Sequence, residues 1–155
     1  MDRALRRVSL TSGHLPLDDT GVASRHFTRE EANALLPQVR PLTEELIEHR
    51  ASLAAAQLER TKLALQVAGN GGGVDSIGAA ALDEQIAHEH AGVARCVNAI
   101  HELGGVVKDP DTGLVDFPAQ VAGVEAFLCW RLGEDEIDHW HGIDEGFSGR
   151  KPLDP

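Results

Sequence analysis

The stretch Ile100-His101-Glu102-Leu103-Gly104-Gly105-Val106-Val107-Lys108-Asp109-Pro110-Asp111-Thr112-Gly113-Leu114-Val115-Asp116-Phe117 decides the fold. Before it, Leu82, Ile86, Val93, Cys96, Val97, Ile100 and Leu103 recur at the three-to-four spacing of one helical face. Gly104-Gly105 is a helix C-cap signal. Beyond it the hydrophobic period drops to two. Val106-Val107-Lys108 runs into the turn Asp109-Pro110-Asp111-Thr112-Gly113, and Leu114–Phe117 follows, ended by Pro118. A helix therefore gives way to strands within a few residues.

Towards the N-terminus, Gly69-Asn70-Gly71-Gly72-Gly73 stops any helix and supplies a reversal. Asp75 or Ser76 can cap the helix that follows it. On the other side of the loop Leu42, Leu46, Leu53, Ala56, Leu63 and Val67 fall largely on one stripe, widened by Ile47, Leu58 and Leu65. Two long helices joined by a glycine loop form an antiparallel hairpin. Two helices alone cannot bury stripes this broad, so the hairpin needs the C-terminal segment, a second copy, or both. Further upstream, Thr28 and Glu31 form a capping box, with Phe27 placed to staple against Ala32. A short helix is expected from there to Leu36, with a kink or restart between Pro37 and Pro41. Residues 1–26 are polar without a sustained period and read as a disordered tail.

Towards the C-terminus, Gly123 turns the chain into Val124–Leu132. There Val124, Ala126, Leu128, Trp130 and Leu132 share one face, opposite Glu125, Phe127, Cys129 and Arg131. Gly133-Glu134-Asp135 is another turn, Ile137–His141 the last expected strand, and Gly146–Pro152 an irregular tail. The expected fold is α+β: a long antiparallel helical hairpin with a short capped N-terminal helix, followed by a small antiparallel β-meander. A single domain spans 27–155, helical over 27–104 and β-rich over 105–155.

Composition narrows the function. Fourteen basic against twenty-five acidic residues give a net charge of −11, which repels phosphate backbones and anionic headgroups. Neither nucleic acid nor a membrane is an expected partner. No run is long enough to span a bilayer, and Met1–Leu10 has no apolar signal core. Cys96 and Cys129 sit in unrelated patterns, as reduced thiols of a cytoplasmic protein do.

Chemistry concentrates between Leu128 and Phe147, which hold both tryptophans, Cys129 and the H-x-H pair His139 and His141. Alternate strand residues point the same way about 6.5–7 Å apart, close enough for two imidazoles to grip one metal ion. Glu145, with Asp144 beside it, can bend back as a carboxylate ligand. The plain alternative is one exposed histidine and one bonded to a carboxylate. Asp116 and Cys129 add ligands if their strands lie adjacent. From Gly133 to Glu145 the run G-x5-H-x-H-x3-E resembles the opening of a cupin metal motif, but no second motif follows and about fifty residues of β-structure cannot build that barrel. His88, His90 and His101 lack the partner four residues on that a zincin helix needs, and Glu45 with His49 reads as a helical i,i+4 contact. Cys129 can pair with a strand histidine as nucleophile and base, or pack as a small hydrophobe. Arg150 and Lys151 can catch an anion or balance Asp144 and Glu145.

Phe27-Thr28-Arg29-Glu30-Glu31-Ala32-Asn33-Ala34-Leu35-Leu36-Pro37, Gly113-Leu114-Val115-Asp116-Phe117-Pro118 and the tract from Leu128 to Pro152 resemble a family of small bacterial proteins, domain-of-unknown-function family 2203. The resemblance covers residues 27–152 and implies no reaction, cofactor or catalytic residue. Trp140-His141 and the Gly146–Arg150 ending are typical of that family and His139 less so, which shifts weight to His141 and Arg150.

The leading expectation is a non-enzymatic binding module, homodimeric through leftover helical stripe, whose C-terminal tract holds a ligand, protein partner or metal. The alternative is a small metal-dependent enzyme with His139, His141 and Glu145 on zinc or iron and a water at an open position. Asp116, Cys129, Arg131, Trp140, Asp144 and Arg150 complete the candidate site. A third reading is a helical adaptor that docks a partner's helix.

Overall fold

The structure is a computed structural model and describes residues 25–69 and 76–154. Helix α1 (Arg29–Gly69) and helix α2 (Ser76–Glu102) form the hairpin, and five strands follow: β1 (Val106–Asp109), β2 (Leu114–Val121), β3 (Val124–Arg131), β4 (His139–Gly142) and β5 (Lys151–Pro152). The strands pair antiparallel in chain order, so the sheet is a meander. The change of period at Gly105 is the boundary between helix and sheet. Gly104 makes that boundary, because its φ is +100° and a Cβ there would lie 2.4 Å from the Phe27 ring.

The capping box at the start of α1 is formed: Thr28 N–H donates to Glu31 Oε2 at 3.0 Å and Glu31 N–H to Thr28 Oγ1 at 3.1 Å. The short helix expected to end at Leu36 does not end there: one helix runs through both Pro37 and Pro41. Each proline deprives a carbonyl four residues back of its donor, at a cost of about 3 kcal/mol. Both prolines lie on the exposed side, while Leu36, Val39, Thr43 and Leu46 on the other side are buried. Burying each large apolar side chain contributes roughly 1.5–3 kcal/mol, so the core face outweighs the prolines. Tertiary hydrogen bonds add to this. Asn33 Oδ1 accepts from Ile137 N–H at 2.7 Å, Arg29 Nε donates to the Ile137 carbonyl at 3.0 Å, and Arg40 Nη2 donates to the Glu134 and Asp135 carbonyls. These bonds tie the proline-bearing turns to the loop before β4.

The inner face of the sheet carries Val115, Phe117, Ala119, Leu128 and Trp130, packed on Leu36, Val39, Leu46, Cys96 and Ile100. Phe27 meets Phe117 edge-on with ring centroids 5.5 Å apart. Two further differences from expectation lie in the sheet. The last long strand starts at His139, because Ile137 is held by Asn33 instead of a strand partner. The C-terminal segment, expected to be irregular, makes a single turn at Phe147–Gly149 and then adds β5, with His139 opposite Pro152 and Trp140 opposite Lys151. Burial fades along the hairpin: beyond Ala56 no residue of α1 is buried, and Leu58 and Leu65 of the expected stripe are exposed. The expected Asp75 cap, the glycine-rich loop over 70–73 and residues 1–24 of the expected tail lie outside the described residues. No helix among the described residues is long and apolar enough to cross a membrane.

Candidate metal centre

Strand alternation sends Asp116 outward, because Val115 and Phe117 on either side of it face the helices. Register then sets its neighbours: Asp116 lies opposite Cys129 and Cys129 opposite His139, so the three form one row across β2, β3 and β4. His141 follows two residues on, opposite Phe127, and points the same way. Its ring lies 5.5 Å from the Phe127 ring, and its Nε2 crosses β3 to within 2.8 Å of Asp116 Oδ2. Asp116 is 1% exposed, Cys129 0% and His141 4%, and one ligand atom from each lies within 4.8 Å of the other two.

The hydrogen bonds assign protons. His141 Nδ1 lies 2.8 Å from the Gly142 carbonyl, which can only accept, so Nδ1 carries the hydrogen. Nε2 and Asp116 Oδ2 would otherwise present lone pairs to each other, so the 2.8 Å contact between them is a hydrogen bond. Asp116 Oδ1 is buried with no hydrogen-bond partner among the described residues. An orphaned carboxylate oxygen costs about 1–3 kcal/mol or more unless something else meets it. Burial pushes the Cys129 thiol up to about 12, with the Asp116 charge adding to the rise and Arg150 opposing it. A thiol so held, with His141 already committed to Gly142 and Asp116, is not an activated nucleophile.

Arg150 lies beside Cys129. Its guanidinium meets the Glu134 carboxylate at 2.7 and 2.8 Å and donates to the Cys129 carbonyl at 3.3 Å. Burial works to raise the Glu134 carboxyl, but the Arg150 hydrogen bonds and the Arg131 backbone N–H outweigh it, so Glu134 sits below its ordinary value.

Of the residues singled out from sequence, Asp116, Cys129 and His141 come together and Arg150 lies against them. His139 and Glu145 do not join the cluster. His139 Nδ1 faces its neighbour Asp138, and Glu145 is exposed, its carboxylate accepting from Gly142 N–H and Lys151 Nζ. The Lys151 contact first and the Gly142 N–H second hold the Glu145 carboxyl below its ordinary value. Asp144 is exposed, and Arg131 is exposed with its guanidinium 5.6 Å from the Phe147 ring centre. Trp140 lies on the other face, partly buried against the core, with Lys151 Nζ 4.6 Å from its ring centre. Glu134 and the Gly142 carbonyl escaped sequence reasoning. Nothing local to a Gly-Glu-Asp turn signals that its glutamate reaches sixteen residues ahead.

A hairpin of two helices laid on one face of a five-stranded meander, with a sealed Asp–Cys–His cluster on the other, is the class of protein that these observations define. The family model described as an uncharacterized conserved protein, DUF2203, matches residues 25–153, and the chain belongs to that family. No curated protein and no solved structure matches it.

Proposed function

We propose that this domain is a metal-binding module in which Asp116, Cys129 Sγ and His141 Nε2 hold one divalent transition metal ion, zinc or iron. The observation that carries the reading is the convergence of three buried donors from three adjacent strands, one of them with an oxygen left without a hydrogen-bond partner among the described residues. Imidazole, thiolate and carboxylate are the donors that zinc accepts, and three of them leave one position for water or a partner's atom. A thiolate and a carboxylate also balance a divalent charge, so the loaded site is neutral where charge is costly. His141 is oriented in the way that suits a ligand, with its other nitrogen donating to a backbone carbonyl.

The sealing of all three donors favours a bound ion that ties β2, β3 and β4 together over one that turns over substrate. The competing enzyme reading uses His139, His141 and Glu145. Metal analysis of protein purified without a histidine tag separates the two. Stoichiometric metal is expected in wild type and in His139→Ala and Glu145→Ala, and is expected to vanish in Asp116→Ala, Cys129→Ser and His141→Ala. Retention in Cys129→Ser together with loss in His139→Ala would transfer the site to the competing set.

Around that site, the module reads as a homodimer joined through the exposed distal part of the hairpin, or as a partner's docking face there, supported by exposed Leu58, Leu65 and Ile77. Two reduced cysteines fit a bacterial cytoplasm.

A further inference from the structure

We propose that Arg150 is the positioning residue of this centre, its Nε–H donating to the Cys129 thiolate when a metal ion is bound and so tightening the site. The inference rests on the Asp116–Cys129–His141 reading above. The Arg150 side chain is only 13% exposed, yet its nitrogens are unevenly used. Nη1 and Nη2 go to Glu134, and Nη2 also reaches the Cys129 carbonyl. Nε alone is buried with no partner among the described residues. The carbonyl contact places the guanidinium beside Cys129, and the charge of each acts on the other.

A neutral thiol is a weak acceptor and offers that N–H little. A metal-bound thiolate is a strong one, and charge-assisted hydrogen bonds are the strong class. Two orphaned atoms of opposite kind, the Asp116 oxygen and the Arg150 nitrogen, are thus satisfied by one event: the ion meets the carboxylate and creates the acceptor for the guanidinium. Glu134 keeps the fork in place, anchored by the Arg131 backbone N–H at 2.9 Å, and the Phe147 ring closes over it at 4.8 Å. A lysine cannot hold that geometry, because a point charge does not replace a planar fork.

Cobalt(II) titration of the full chain tests this, because a cobalt–thiolate bond gives a charge-transfer absorption that reports on the sulfur itself. Arg150→Met is expected to weaken cobalt binding on the order of 10–100-fold, the usual effect of losing a group that orients a ligand, and to shift the thiolate band. Arg150→Lys is expected to weaken binding by less while still shifting the band. Lys151→Met, on the neighbouring exposed residue, should match wild type in both. Wild-type affinity and an unshifted band in Arg150→Met would reduce Arg150 to an anchor of the C-terminal segment. If that variant does not fold, the same two readouts on Arg150→Lys decide. Absence of a Cys129-dependent band in wild type overturns the metal reading, whereas a wild-type band indifferent to Arg150 overturns only this inference.

Discussion

Cys129 faces opposite demands with and without a metal ion. In the metal-free fold its thiol is pushed up to about 12 from an ordinary value of 9.0, first by burial and then by Asp116. The folded state therefore holds the proton more tightly than the unfolded chain does. Stability from this group is fully present below about pH 9, where both states are protonated. It falls as pH rises towards 12 by about 1.4 kcal/mol per unit, because only the unfolded chain releases the proton. Urea unfolding of metal-free protein between pH 8 and 11 is expected to show this decline, shallower in Cys129→Ala. Cys96, also raised by burial, remains as background in both proteins. Equal slopes for the two would mean that Cys129 ionises in the fold as freely as outside it.

Among the elements, α1 shows where local propensity loses to packing. Pro37 lies on the exposed side of a helix whose opposite side is core. Replacing Pro37 with Ala returns a donor to the Asn33 carbonyl without disturbing Leu36 or Val39. The gain, about 3 kcal/mol of helix propensity, is reduced by the greater freedom of the unfolded chain, leaving a stabilisation of about 2 kcal/mol. Calorimetry should record a higher Tm, and a lower one would show that the proline sets a bend that the core requires. The helix was legible in its stripe but its continuity was not, because Asn33, Arg29 and Arg40 bind a loop about a hundred residues away. The same distinction governs the sheet. Alternation in Val124–Leu132 assigns each side chain to a face from sequence alone. Whether Asp116 meets Cys129 depends on a register that no single strand encodes. The H-x-H spacing likewise places both imidazoles on one face. Only the fold turns His141 into the cluster and leaves His139 against Asp138. The fifth strand is a two-residue pairing that depends on β4 being in place, so its residues carry almost no period of their own.

On the scale of the whole molecule, the sheet is too small for the hairpin that it covers. At 1.5 Å per residue, the 41 residues of α1 extend roughly 60 Å. The sheet meets the half near Phe27 and Gly104, and past Ala56 no residue of α1 is buried. Leu58, Leu65 and Ile77 stand 55%, 68% and 84% exposed there. A second hairpin laid across them would complete a four-helix layer of the kind that buries such stripes. The net charge of −11 opposes bringing two copies together, so association should strengthen as salt screens it. Sedimentation is therefore expected to give twice the 16.6 kDa chain mass at micromolar concentration in moderate salt. Leu65→Glu, which places a charge in the proposed seam, should return the protein to a monomer with its metal content unchanged, since the cluster lies on the far face of the sheet. A wild-type monomer at all concentrations and salts would instead leave the distal stripe to a different protein's helix.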